Sequence, residues 1–227
     1  IYLLAVVALV AYALIWPSVV LGWGIFTFRY QLDEGLKNLQ IGEFDRSFSN
    51  IEQAENRAVL VKSVLEALKP IRQTGVLNKE FELGDDLAEV VILSTKSAKS
   101  TVVGVQALLQ SIKAVTGEKV ESPSAYFSSA QVELTSASDN LSKTYAILQN
   151  ENFKKKLPAS LSKTIQNLSE KLKVYSSLVS RAQAISVLLP KLVAIDGKKD
   201  YLILLQNNME LRPGGGFIGS FAKISFE

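Results

Sequence analysis

The first 28 residues are apolar at most positions, whereas later stretches alternate apolar and polar positions. Residues 1–28 contain no charged side chain and are rich in Leu, Val, Ala, Ile and Trp. An apolar run of roughly 18 or more residues predicts a membrane-spanning helix, because only a helix satisfies its own backbone groups in hydrocarbon. Pro17 is expected to kink this helix, since it removes one backbone hydrogen bond.

Two alternatives to a membrane anchor are a cleaved signal peptide and a buried helix of a soluble core. A signal peptide normally has an apolar core of only about 7–15 residues, which favours the anchor. Aromatic side chains prefer the headgroup level, so we expect Trp16, Trp23 and Tyr30 at the membrane interface, together with the first charge, Arg29. The absence of a basic cluster after the span favours an extracytoplasmic location for the rest of the chain.

The next segment predicts helices throughout. From Asp33 to about Ile195 apolar residues recur at steps of three and four, which is the period of an amphipathic helix. The polar turn 42–45 predicts a helical hairpin whose second helix ends near Lys69, before Pro70. Residues 77–83 are interpreted as a connector.

Three long apolar stripes follow this hairpin. A helix is expected to begin at Gly84-Asp85-Asp86 and to end at Gly117, and others begin at Ser122-Pro123 and at Pro158. Their predicted inward residues are Leu87, Val91, Ser94, Ala98, Val102, Val105, Leu109 and Ile112; Phe127, Ala130, Leu134, Ala137, Leu141, Tyr145 and Leu148; and Leu161, Ile165, Leu168, Leu172, Tyr175, Val179, Ala182, Ile185 and Leu189. Long stripes with short connectors predict an elongated antiparallel bundle.

The pattern changes to that of β-strands near the C-terminus. The short apolar run 201–206 is bounded by turn residues, which suits a buried strand. Ile218, Ala222, Ile224 and Phe226 then alternate with smaller or polar residues, as in a second strand.

The segment between these two strands holds the candidate ligand-binding residues. They are Asn207, Asn208, Glu210, Arg212, Gly214, Gly215 and Gly216. Consecutive glycines let a backbone approach a ligand, exposed N–H groups can cradle an anion, and Arg212 could grip a phosphate with two hydrogen bonds. The alternative is a structural strand–turn–strand in which Glu210 and Arg212 form a salt bridge. The Gly-Lys-Ser/Thr of a P-loop does not follow.

The same stretch resembles a known bacterial family. Residues 201–220, read as YLILLQNNMELRPGGGFIGS, are similar to the signature of the family called domain of unknown function 4012. Members of that family have one membrane span, a helical region and then this motif opening the main domain. Gly214 stands where the family usually has a small polar residue. The family has no established activity, so the resemblance implies an architecture and a cell-envelope role rather than a reaction.

The composition excludes several kinds of reactive and metal-binding site. The chain has no Cys and no His, which excludes disulfides, thiol catalysis and Cys/His metal sites. A net charge of +3 gives no footprint for nucleic acid, and the lysines 154–156 are interpreted as a solvated run. Asp85-Asp86 is better explained by helix capping than by a cation site, because hard cations need more oxygen ligands. No metal and no cofactor are expected.

The predicted fold class is mostly α: an N-terminal transmembrane helix over 1–28, an elongated antiparallel helical bundle over 29–196, and the first strands of a truncated α/β or α+β domain over 197–227. The chain begins within an apolar run without Met and ends within a strand, so we expect both ends to be cut.

The function expected is that of a single-pass, membrane-anchored bacterial envelope protein whose helical region is a spacer or interaction surface. One alternative is an envelope polymer-processing enzyme acting on lipid-linked phosphate substrates, and another is a sensor ectodomain. Whether the protein is an enzyme is left open. The partners expected are the lipid bilayer, cell-envelope polymers and other envelope proteins, without nucleic acid.

Overall fold

A computed structural model describes residues 23–68, 78–117, 122–195, 197–207, 209 and 216–226. Within these residues the chain forms helices followed by a two-stranded antiparallel sheet. The elements are α1 (23–40), α2 (Phe44–Ala67), α3 (Asn78–Val115), α4 (Pro123–Gln149), α5 (Glu151–Lys156), α6 (Ala159–Leu192), β1 (Lys199–Asn207) and β2 (Phe217–Phe226).

The predicted helical hairpin is confirmed as α1 and α2. Gly42 turns the chain with a φ of +79°, a conformation that favours glycine. The two helices approach closely at Gly35, because a Cβ there would lie 2.7 Å from Cγ1 of Ile51. The buried Ser47 hydroxyl donates a 2.8 Å hydrogen bond to the Gly35 carbonyl across the same contact.

Helix α3 is the centre of the bundle. It packs against α2 and α4, and α6 packs mainly against α4. The closest approach is at Gly104, where a Cβ would lie 2.7 Å from Cγ of the fully buried Leu134. Glycine at this position therefore lets the Leu134 side chain of α4 lie directly against the backbone of α3. The predicted α4 stripe is confirmed, since Phe127, Ala130, Leu134, Ala137, Leu141 and Leu148 are all buried.

Hydroxyl groups cross the interior between α3, α4 and α6. Ser97 donates a 2.9 Å hydrogen bond to the Ala137 carbonyl, and the Tyr175 hydroxyl lies 2.7 Å from Oγ1 of Thr101. Burial raises the pKa of Tyr175, against the opposing effect of its hydrogen bonds to Thr101 and Ser97. The phenol is thus held neutral in the core. Satisfied polar groups of this kind restrict how the helices can slide.

Ion pairs join the helices at the surface. Lys156 of α5 lies 2.9 Å from Asp86 and 3.2 Å from Glu82 of α3, and the hydrogen bond to Asp86 raises the pKa of Lys156. The prediction of a solvated lysine run is therefore wrong for Lys156. Lys99 of α3 similarly pairs with Glu52 and Glu55 of α2.

Several helix details differ from the sequence prediction. Helix α3 begins at Asn78, so the expected connector and the expected start at Gly84 are both wrong. Leu109 and Ile112 are exposed, because α3 contacts α2 and α4 with different faces and buries small residues on both. On α6 the predicted inward residues Leu161 and Ile185 are exposed, and Ser186 is buried instead of its neighbour Ile185.

The N-terminal part of the fold prediction is corrected. In the part of the chain that the structure describes, no helix is long and apolar enough to cross a membrane. Residues 1–22 of the predicted 1–28 span lie outside the described residues. Residues 23–28 belong to α1, which continues to residue 40 through the charges of Arg29, Asp33 and Glu34 and packs on α2.

The close contact of α3 with α4 predicts opposite effects for two glycines of one helix. Gly104→Ala forces the new methyl into Leu134, so we expect the free energy of unfolding to fall by roughly 1–2 kcal/mol. Gly84→Ala is the matched control: its Cβ would lie 3.5 Å from Leu65, an ordinary contact, and removing a helical glycine stabilises by about 0.5–1 kcal/mol. Urea denaturation measures both, and equal stabilisation of the two variants would contradict the packing.

Candidate functional site

The C-terminal sequence forms the predicted pair of strands, but the prediction that the first strand is buried is wrong, because β1 is exposed except at the partly buried Tyr201. β1 and β2 are antiparallel, with Tyr201 opposite Ile224, Ile203 opposite Ala222 and Leu204 opposite Phe221. The register shifts once, between Leu205 and Gln206, where it skips Gly219 of β2, close to the segment that joins the two strands. Such an irregularity increases local twist and bends the strand. The segment with the candidate ligand-binding residues therefore leaves from a bent strand end.

Two of the candidate ligand-binding residues are within the described residues, and both are at the strand ends. The others, Asn208, Glu210, Arg212, Gly214 and Gly215, lie outside the described residues. Asn207 ends β1, and its side-chain oxygen accepts a 3.0 Å hydrogen bond from the Met209 amide, which starts a turn. The ligand-binding role of the segment stays a prediction.

Gly216 leads into β2 with a backbone conformation that requires glycine. Its φ is +136°, a region that L side chains rarely adopt. A Cβ at Gly216 would also lie 2.7 Å from Nε2 of Gln206 and 2.9 Å from the Asn207 carbonyl oxygen. This glycine therefore serves the geometry of the turn, in line with the structural alternative.

A polar cluster at the opposite end of the hairpin was missed by sequence reasoning. The Ser225 hydroxyl donates a 2.6 Å hydrogen bond to Asp200, and Lys223 lies 3.1 Å from the other carboxylate oxygen. These two hydrogen bonds, the one from Ser225 first, lower the pKa of Asp200. The cluster ties β1 to β2 across the surface.

The hairpin is attached to the end of α6 through backbone carbonyls. Tyr201 donates its hydroxyl hydrogen to the Leu192 carbonyl, and the Lys199 ammonium donates to the Lys191 carbonyl. A lysine at a helix C-terminus also neutralises the partial negative charge of the last carbonyls. The direction of α6 thus orients the strands.

Helix α6 carries two apolar stripes, of which the packed one faces α4. Its packed residues include Leu172, Val179 and Ser186, which are buried. The second stripe, called here the outer stripe, consists of Val174, Leu178, Ile185, Leu188 and Leu192, whose exposed fractions lie between 51% and 65%. A helix that is apolar on two faces is normally buried on both. The outer stripe is therefore an uncovered candidate surface on this helix.

An apolar cavity of about 440 Å³ lies between α1, α2, α3 and α6. Its walls include Ile25, Phe28, Val61, Leu65, Leu87 and Leu168. These walls offer no polar group that would orient a substrate for a reaction.

Among the residues that the structure describes, no group of three or more Asp or Glu side chains is arranged to hold a metal ion. Of the residues predicted at a membrane interface, Trp16 lies outside the described residues. Trp23, Arg29 and Tyr30 lie exposed on α1, with Arg29 3.9 Å from Asp33.

The comparisons with known proteins agree with the family resemblance. Residues 196–227 match the family described as protein of unknown function DUF4012, and this match covers a small part of the chain. No curated protein and no solved structure matches the chain.

The hairpin geometry predicts a strong effect at Gly216 and a weak one at Gly219. Gly216→Ala combines an unfavourable φ with two contacts under 3.0 Å, so we expect cross-strand pairing near the turn to be lost. Gly219→Ala is the control, because its Cβ would meet only the Phe217 ring at 3.7 Å. Cross-strand NOEs between Gln206 and Ile218, which are partners near the turn, report the pairing in both variants. Intact NOEs in Gly216→Ala would show that the turn does not need glycine there.

Proposed function

Starting from the match of residues 196–227 to DUF4012, we propose that this chain is a cell-envelope protein without catalytic activity of its own in the helical region. The helical bundle acts as a spacer and interaction region that carries the DUF4012 segment at one end. The envelope location rests on the family resemblance and stays a prediction.

The observation that carries this proposal is the length of the bundle together with the contacts that join its helices. Helix α3 has 38 residues and α6 has 34, which correspond to about 57 Å and about 51 Å. Contacts are spread along that length: Lys156 joins α5 to one end of α3, Tyr175 joins α6 to the middle, and Tyr201 attaches the hairpin to the end of α6. A rod with contacts along its whole length supports a spacer role.

Three groups of the described helices that could take part in acid–base chemistry are engaged in contacts between helices. The hydroxyl of the partly buried Tyr175 is hydrogen-bonded to Thr101, and Lys99 and Lys156 each pair with two carboxylates of a neighbouring helix. Burial raises the pKa of Tyr175, and the hydrogen bond to Asp86 raises the pKa of Lys156. For Lys99 burial lowers the pKa, but the paired carboxylates outweigh it and raise the pKa overall. A catalytic group needs a reacting molecule within hydrogen-bond reach.

A spacer must hold a fixed length, and spin labels can measure that length. The chain has no Cys, so the double variant Lys79→Cys/Lys191→Cys places only two labels, both at exposed positions. Helices α3 and α6 run in the same direction with Tyr175 level with Thr101, so the labels are about 57 Å apart along the rod. We expect a narrow distance distribution near this value in double electron–electron resonance.

A second label pair provides the control for that measurement. Lys79→Cys/Lys155→Cys keeps both labels at one end of the rod, where Lys156 pairs with Glu82, and its distribution should be short and narrow. A broad or bimodal distribution for the long pair, with the short pair still narrow, would contradict the spacer function.

A further inference from the structure

We infer that the outer stripe of α6 binds an amphipathic helix that presents acidic side chains. This inference specifies the interaction role proposed above and rests on that proposal. The surface is the row Val174, Leu178, Ile185, Leu188 and Leu192, on which each side chain is more than half exposed. Each member of this row directly precedes a residue on the packed side of the helix, as Leu178 precedes Val179 and Ile185 precedes Ser186. Successive residues of an α-helix are rotated by about 100°, so the two stripes are separated by about that angle.

The spacing of the outer stripe selects a helical partner. With Arg181 included, successive members are separated by four, three, four, three and four residues. This is the seam of a coiled coil, in which apolar residues recur on average every 3.5 residues. The seam extends over about 27 Å of helix axis, which is long enough for a partner helix of five turns.

Charge on and beside the stripe selects an acidic partner. Lys171 continues the row toward the N-terminus, Arg181 occupies one of its central positions, and Lys191 flanks its other end. No carboxylate of a described residue forms an ion pair with Arg181, and Glu170 is the acidic residue of α6. Glutamates on a docked helix opposite these cations would give complementary charge along the whole seam.

The same charges disfavour a second copy of this chain as the occupant. In a parallel pair the two Arg181 guanidinium groups would lie side by side in the seam. In an antiparallel pair centred on the stripe they would still lie about two residues from the midpoint on each copy, about 6 Å apart along the axis. Like charges at that distance are destabilising unless a carboxylate lies between them.

A designed peptide pair tests the inference directly. The acidic probe is a fluorescein-labelled helix of about three heptads with Leu and Ile at the seam positions and Glu at the flanking positions. Its twin carries Lys in place of each Glu. Fluorescence anisotropy with the full chain should show binding of the acidic peptide, at least about tenfold weaker binding of the basic twin, and weakening of the acidic peptide by salt.

Variants of the chain locate the binding surface. Leu178→Ser/Ile185→Ser and, separately, Arg181→Glu should each weaken the acidic peptide by about tenfold or more, because they remove seam contacts or reverse the central charge. Val132→Ser on α4 is the matched control, since Val132 is 67% exposed but lies outside the stripe, and its affinity should be unchanged. All these positions are exposed, and circular dichroism verifies that each variant keeps its helix content.

Several results would overturn the inference. They are equal affinity for the two peptides, no binding of the acidic peptide, and affinity unchanged by Leu178→Ser/Ile185→Ser. If the chain self-associated in sedimentation velocity and this double variant abolished the association, the stripe would be assigned to a second copy of the chain. If the chain bound phosphatidylglycerol vesicles and the double variant abolished that binding, the stripe would be assigned to lipid. The spin-label distances distinguish this inference from the proposed function. A narrow distance distribution for the long label pair without peptide binding refutes only the acidic-helix inference. A broad distribution for that pair refutes the spacer function.

Discussion

The close contact between α3 and α4 is the constraint on which the rest of the bundle depends. At Gly104 the absence of a side chain lets the fully buried Leu134 lie against the α3 backbone. Seven residues earlier on α3, Ser97 donates a hydrogen bond to the Ala137 carbonyl and fixes the same pair of helices along their axes. Interior packing tolerates neither gaps nor overlap, so these two contacts determine the separation and the register of the helices together.

The other elements take their positions from this pair. Helix α2 lies on α3 and is held there by Lys99, and α6 lies on α4 with Tyr175 reaching Thr101 of α3. Because α6 uses one of its two apolar stripes to pack on α4, the outer stripe, which is turned by about 100° from it, is left uncovered. The hydroxyl of Tyr201 attaches the hairpin to the end of α6, so the outer stripe and the segment that matches DUF4012 both take their positions from α6.

The sequence predicted an element best where the element packs with a single continuous apolar face. The α4 stripe is of this kind and is confirmed. The β1–β2 pair is confirmed as two antiparallel strands, although both strands are exposed. Helix α3 is different, because it has neighbours on two faces and buries Ser97 and Gly104, whose burial an apolar period does not register. Gly84 is interpreted from the sequence as a helix start, but glycine is tolerated there inside α3. The Asp200–Ser225 contact depends on strand register, which pairs residues 25 positions apart.

Native-state hydrogen exchange tests most directly whether the α3–α4 contact supports the whole bundle. The account predicts that amides of α3 and α4 around Val102 and Leu134 exchange only by global unfolding, with an opening free energy equal to that from urea denaturation. Amides of α1 and of the hairpin should open at lower free energy, since fewer buried contacts hold them. If the amides around Val102 opened as easily as those of α1, while any other helix alone reached the global value, the central claim would be contradicted.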